Sequence, residues 1–403
     1  MKKTLILLLT GISSGLFATS FFSGETGAGS TFTNKKESGF EPAVYINGFF
    51  AGQLTISDMF SLRGEFSLRT PDMYDNGFTK EADDSIFQIN ELSATITKSF
   101  AGSTHTLSGF IGHFEDPGSQ QYIIRHLGVN KFSSFVTENY LGQSGSETYP
   151  LCGIGGAYSL TLKSIPFSTG LVISRSDNFE DVKQMNADLH LATAFRYLTL
   201  DFLGGVGAPL YRVVDEGTPQ ERDVYLLIDT LYLHMGLDLL LGNRISPFSI
   251  FVQYGFEYFP VKSPDTAKSL VPSEVYLLVE PRFNLGNTKI HLTAYSMPEE
   301  RIAKMELPDD TLGANLNIFC DTLTTGRRNY TLGFNGSVSF EDKYYNDLED
   351  KDFLDSMNIK VAPYTNIEAN GGQLRLMMQL GVTKLAKSKP NAIKLNIGYK
   401  KEL

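Results

Sequence analysis

Across residues 44–70, apolar and polar side chains alternate one by one through two runs joined at Ser57-Asp58-Met59. In the second run Phe60, Leu62, Gly64, Phe66 and Leu68 share one face, and Ser61, Arg63, Glu65, Ser67 and Arg69 share the other. This is the two-residue period of a strand with unlike faces. Both runs are longer than an ordinary soluble strand. Repeated along a chain, the pattern fits strands that place lipid on the apolar side and a wet lumen on the other.

It does repeat. The spacing predicts hairpins from residues 86–98 and 104–113, 152–163 and 167–175, 185–196 and 198–208, 224–241 and 245–258, 275–285 and 288–296, 312–319 and 330–340, and 357–368 and 373–383, with 392–400 as a closing strand. Tight-turn sequences join several of them: Leu241-Gly242-Asn243, Leu285-Gly286-Asn287 and Asn370-Gly371-Gly372 supply residues that tolerate positive φ. Longer connections alternate with these turns, at 71–85, 114–151, 176–184, 209–223, 259–273, 297–310 and 341–356. Short turns on one rim and long loops on the other are the signature of a transmembrane antiparallel β-barrel with periplasmic turns and outer loops. About 17 strands are clear, and residues 22–33 would add a first upward strand, giving about 18; 16 is the alternative if one run is a loop.

Residues 1–20 read as a cleavable signal peptide, with Lys2-Lys3, an apolar Leu5 to Leu9 core and small residues at Ala18 and Ser20. Residues 21–403 would then form a single barrel domain. No cysteine lies near the cleavage region to accept a lipid, so anchoring is expected from the fold itself. The most apolar later stretch, 224–241, contains Asp229, His234 and Asp238, which a lipid-facing helix would not tolerate but a strand can turn inward. A net charge of -10 without a basic stripe excludes nucleic acid as an expected partner. Cys152 and Cys320 fall in separate strands, so no disulfide is expected. Trp is absent, and 19 Tyr and 29 Phe are available for interfacial rings.

With its export signal lacking a lipid-acceptor cysteine, its strands such as Phe60-Ser61-Leu62-Arg63-Gly64-Glu65-Phe66 and Ile86-Phe87-Gln88-Ile89-Asn90-Glu91-Leu92, and its amphipathic closing strand, the chain resembles the porin-like outer-membrane barrels of spirochaetes, the treponemal type. The resemblance implies a cell outer membrane location, membrane lipid and the barrel assembly machinery as partners, and a homotrimer as one possible assembly. It departs from the usual aromatic terminus, because Lys400-Lys401-Glu402-Leu403 follow Tyr399. Those residues also resemble a lumenal retrieval signal, against which the lipid-length strands speak.

The expected pore-lining set is Arg63, Glu65, Arg69, Asp188, His190, Arg196, Asp201, Glu257, Glu280, Arg282, Lys360 and Arg375. Such charges select solutes by sign and spacing; in the alternative they neutralise one another inside a plugged barrel. The longest connection, 114–151, is too apolar for a solvated loop and is expected to fold against the inner wall as a constriction, bringing Glu115, Asp116, Arg125, His126, Lys131 and Glu138 toward Arg63 and Arg69. The other placement is an outward lid or adhesive finger. The leading function is passive diffusion of small polar solutes or ions; the alternatives are a surface binding or adhesion barrel and, further off, a hydrolase using Asp188 with His190 or His234 with Asp238. No serine motif, phosphate loop or clustered metal ligands accompany the six histidines, so no catalytic residue, metal or cofactor is assigned.

Overall fold

The computed structural model describes residues 20–36, 41–76, 86–141, 146–149, 151–179, 182–213, 223–226, 231–243, 246–262, 270–325, 328–348 and 353–403. The proposed signal segment therefore lies outside the described residues, Ser20 apart. Alternation forms the strands β1 (Phe21–Asn34), β2 (Pro42–Ser57), β3 (Phe60–Arg69), β4 (Ile86–Phe100), β5 (Ser103–His113), β6 (Cys152–Leu162), β7 (Phe167–Phe179), β8 (Val182–Phe195) and β9 (Leu198–Val213). Two segments, Asp223–Leu226 and Leu231–Leu241, both pair with β9 and together make β10. The circuit continues through β11 (Phe248–Lys262), β12 (Val275–Leu285), β13 (Thr288–Ser296), β14 (Leu312–Thr325), β15 (Arg328–Phe340), β16 (Met357–Ala369), β17 (Gly372–Gly381) and β18 (Ile393–Glu402).

Each strand pairs antiparallel with its sequence neighbours, and β1 pairs with both β2 and β18. The result is a closed 18-strand antiparallel barrel, which leaves no edge strand unpaired. The Phe21–Asn34 strand closes it, as the sequence reading required. Lys400 and Lys401 are in register with Gly27 and Thr26, so these two residues of the terminal tetrapeptide belong to the wall.

Gly102, Gly242, Gly286 and Gly371 take positive φ in the short turns. Outside, Phe22, Phe50, Phe87, Leu107, Ile154, Ile173, Leu189, Phe334 and Leu395 are among many exposed large apolar residues. An apolar belt on this scale fits a lipid environment and not a soluble monomer. The connection expected at 176–184 differs from that reading: β7 and β8 run on until Phe179 pairs with Val182. The ladder breaks register between Ser176 and Phe179, so Asp177 and Asn178, poor strand formers, mark an irregularity and not the end of the pairing.

Candidate functional site: an occupied lumen

The connection from Phe114 to Leu151 folds into the barrel. It leaves and returns at one point, where the Phe114 N–H donates to the Leu151 carbonyl at 3.1 Å and Phe114 stacks on Phe110 at 4.4 Å. Its helix Gln121–Leu127 is flanked by Gln120 and Gly128, both left-handed. From that helix Tyr122 lies flat on His190, with centroids 3.7 Å apart, and its hydroxyl is 2.9 Å from the Ser168 hydroxyl. Gln120 donates to Asp238 at 3.0 Å and accepts the Phe132 N–H at 2.7 Å. Farther on, Ser134 donates to Glu280, Phe135 stacks on Tyr364 at 4.6 Å, and the Tyr140 hydroxyl donates to the Gln373 carbonyl. The loop thus touches walls all around the bore.

Glycines in the seam admit its far end. A Cβ at Gly29 would come within 2.9 Å of Leu141, and one at Gly398 within 2.7 Å of Tyr140. Larger residues there would push the loop off the wall.

A second connection also turns inward. Between Met297 and Thr311, whose backbones bond at 2.8 Å, Met297, Ile302 and Leu307 are buried. Arg301 pairs with Glu257, and Glu306 accepts the Tyr140 N–H at 3.2 Å, so the two loops touch. Asp309 meets three ammonium groups: Lys360 at 2.7 Å, Lys384 at 3.0 Å and Lys394 at 3.1 Å. Tyr122, Ile123, Phe132 and Val136 of the first loop, and Met297 and Ile302 of the second, join Phe251, Tyr276, Leu278 and Tyr295 of the wall in one apolar cluster. That side of the lumen is a packed core.

The opposite side is polar and partly open. A cavity of about 280 Å³ lies against β2–β6 toward the short-turn rim, lined by hydroxyls that include Ser61, Ser93, Thr95, Thr104, Thr106 and Ser108. On the loop side a smaller hollow of about 70 Å³ is lined by Glu65, Glu91, Asp116, Lys131 and Glu147. Between them runs a bar of ion pairs. Glu91 is 3.1 Å from Arg63 and 2.6 Å from Arg125, and Arg125 and His126 reach Glu115 at 3.4 and 3.2 Å. A register shift after Glu65, opposite β4, turns both Asn90 and Glu91 inward, the re-aiming that a β-bulge provides.

Most of the expected lining charges face inward but are engaged. Glu65 is held by Arg63 at 3.1 Å, Glu280 by Arg282 at 2.7 Å, Glu257 by Arg301 and Lys360 by Asp309. Arg375 lies over the rings of Phe135, Tyr140 and Tyr364 at 4.9, 4.3 and 5.8 Å. Arg69 is half-buried. Asp116 accepts the Leu151 N–H at 2.8 Å and pairs with His113 at 2.7 Å, while Lys131 and Glu138 pair with each other at 3.6 Å. Arg196 is a correction: it occupies the β8–β9 turn, exposed, with its guanidinium 5.1 Å over Tyr197. The strand ends at Phe195, so alternation no longer sets the direction of Arg196.

The histidine pairs also differ from the expectation. His190 bonds Asp201 at 2.6 Å across the β8–β9 ladder, and His234 bonds Asp188. Asp238 instead accepts from Gln120 and Gln253. Residues two or four apart on a strand share a face, but His190 and Asp201 are diagonal neighbours on paired strands, and His234 reaches Asp188 across β9 over Gly205, where a Cβ would run into the Asp188 carboxylate. Both rings are fully buried and each is covered by a loop tyrosine, Tyr122 on His190 and Tyr149 on His234 at 4.1 Å. They are seats for the loop, closed to a substrate.

The sequence reading gives Glu91 no role, because its inward aim depends on the bulge, and it gives 297–310 as a long connection without its inward turn. A signal was present for the apolar wall: Tyr276-Leu277-Leu278 and Leu239-Leu240-Leu241 are apolar on both faces, as strands buried on both sides are.

No protein-family model matches the chain, and no curated protein matches it. Among solved structures it is similar to OpdL of Pseudomonas aeruginosa, with 10% identity over 96% of this chain and 99% of that one and a TM-score of 0.49. It is also similar to Wzi of Escherichia coli, described as a carbohydrate-binding β-barrel involved in capsule assembly, with 10% identity over 99% and 87% and a TM-score of 0.44. A porin mutant from Rh. blastica gives 10% identity over 96% and 100% with a TM-score of 0.42. At this identity the likeness concerns the fold alone.

Proposed function

We propose that the protein is an outer-membrane channel for small polar solutes, in which the 114–151 loop is the constriction and the permeation path is confined to the β2–β6 side. The observation that carries this reading is the asymmetry of the lumen. One side is sealed by apolar packing between two loops and the wall, whereas the other holds a hydroxyl-lined cavity bordered by the Glu91, Arg125 and Glu115 ion pairs. Hydroxyl groups replace hydration water for neutral and charged solutes alike, so the lining suits small hydrated molecules. The exposed apolar belt supports the membrane placement. The same sealed side also supports a second reading, a barrel that binds ligands through its outer loops and conducts nothing.

Introducing a thiol into the cavity separates the two. Pure protein in a planar bilayer should show stepwise current, and Thr106→Cys treated with a hydrophilic thiol reagent should lose a measurable part of it, beyond any change in wild type that carries Cys152 and Cys320. Absence of current from folded protein favours the binding barrel. Current that ignores the reagent places the path elsewhere.

A further inference from the structure

Where β1, β2 and β18 reach the loop rim, the connection after β17 lies across the outside of the wall and completes a groove of about 450 Å³. Its membrane side is apolar: Phe32, Ile393 and Leu395 project from the strands and are 40, 47 and 39% exposed, and Leu385 faces them from the helix Val382–Ala386 at 57%. Its upper end carries two ammonium groups, Lys36 and Lys389. The helix is placed by contacts on its other side, where Lys384 reaches inward to Asp309 at 3.0 Å. The loop behind it is fixed to β1, since Asn391 donates its N–H to the Asn34 carbonyl at 2.7 Å and accepts from Thr33 at 3.1 Å. The groove is therefore part of the built structure.

We propose that this groove binds a single phospholipid with an anionic headgroup, its phosphate between Lys36 and Lys389 and one acyl chain along Phe32, Leu385, Ile393 and Leu395. The charge pattern carries the choice. Among the described residues Lys36 and Lys389 pair with exposed carboxylates, Glu41 at 3.5 Å and Glu341 at 3.6 Å, with both lysine side chains about half exposed. Such pairs are weak and exchange readily. A phosphodiester offers both lysines a shared acceptor, and an anionic headgroup does so without the cation that a zwitterionic one such as choline would set beside them, while the adjacent apolar residues stay in hydrocarbon, as Lys side chains at membrane interfaces arrange themselves. A second apolar hollow on the outer wall, between Val279, Leu292, Leu316 and Val338, provides the internal contrast. Its one charged lining residue, Lys360, is buried against Asp309, so that hollow has no reason to prefer an anionic lipid.

The proposal goes beyond solute passage and rests only on the membrane placement. The test is native mass spectrometry of refolded protein released from micelles holding equal amounts of phosphatidylglycerol and phosphatidylcholine. Wild type should retain one phosphatidylglycerol in preference to phosphatidylcholine. Lys36→Gln combined with Lys389→Gln should abolish the preference while heat-modifiable gel mobility, which reports the intact barrel, stays unchanged. Leu385→Gln should reduce retention of both lipids. Equal retention of the two lipids by wild type, or a preference that survives the double substitution, overturns the proposal. Protein that fails to take up micelles at all would instead overturn the membrane placement itself.

Discussion

Arg125 joins a wall carboxylate to a loop carboxylate, at 2.6 Å from Glu91 and 3.4 Å from Glu115. Both acids are almost fully buried, so removing the guanidinium leaves two negative charges facing the remaining passage. Losing hydrogen bonds between charged groups costs on the order of 2 kcal/mol, and the bar is then split, with Glu91 held by Arg63 and Glu115 by His126. Arg125→Ala is expected to raise single-channel conductance and shift reversal potentials in a salt gradient toward cations. Unchanged selectivity would mean that the bar does not face the permeating solute. Residue identity was legible in the sequence where strand parity holds: Arg63, Glu65, Asp188, Asp201, Glu280 and Arg282 all point inward. It failed at Arg196, beyond the strand end, and at Glu91, beside an irregularity that parity cannot register. What each charge touches was not legible, because partners come from residues far away in the chain: Arg375 is enclosed by Phe135, Tyr140 and Tyr364.

Among the elements, the two inward loops are held in different ways, and this sets how each responds to pH. The 114–151 loop depends on stacked rings and buried hydrogen bonds. The 297–311 loop depends at its far end on Asp309. Burial alone would raise the Asp309 carboxyl, but Lys360, Lys394 and Lys384 outweigh it and hold the group well below the ordinary carboxylate range. A folded-state value lower than the unfolded one adds stability that is complete above the unfolded value, about 4, and is lost as pH falls below it. Asp309→Asn should therefore destabilise the folded protein at pH 7 by on the order of 2 kcal/mol, and the gap from wild type should narrow as pH is lowered toward 3. Thermal melting in detergent at both pH values measures it. A gap of the same size at pH 3 would show that the lysines do not stabilise the carboxylate. The sequence displayed the first loop through its length and its density of apolar residues. The second shows in the sequence only as a long connection, because Met297, Ile302 and Leu307 are spread among Glu299, Glu300, Arg301 and Lys304, a mixture that reads as solvated until a wall is placed beside it.

For the whole molecule, strand number sets how much must fill the centre. A barrel of about 16 to 18 strands encloses more space than its own side chains can occupy, and this chain fills most of one side with Tyr122, Phe132, Val136, Met297 and Ile302 against Phe251, Tyr276, Leu278 and Tyr295. The barrel itself is closed by backbone pairing from β1 to β18 and does not require the loops for its ladder. Stability and passage can then be separated by removing residues 120–143. That deletion takes away the helix Gln121–Leu127, Arg125 and the rings on His190 and Tyr364. It exposes apolar wall that is now buried, which should lower the melting temperature, since each large buried side chain removed from a core costs ~3–5 kcal/mol. In the same protein the bar and the apolar seal disappear together, so single-channel conductance should rise and ion selectivity should weaken. Arg125→Ala alone should give the conductance change without most of the loss of stability, because the stacked rings remain. A folded deletion variant with wild-type conductance would put the limiting constriction in the 297–311 loop.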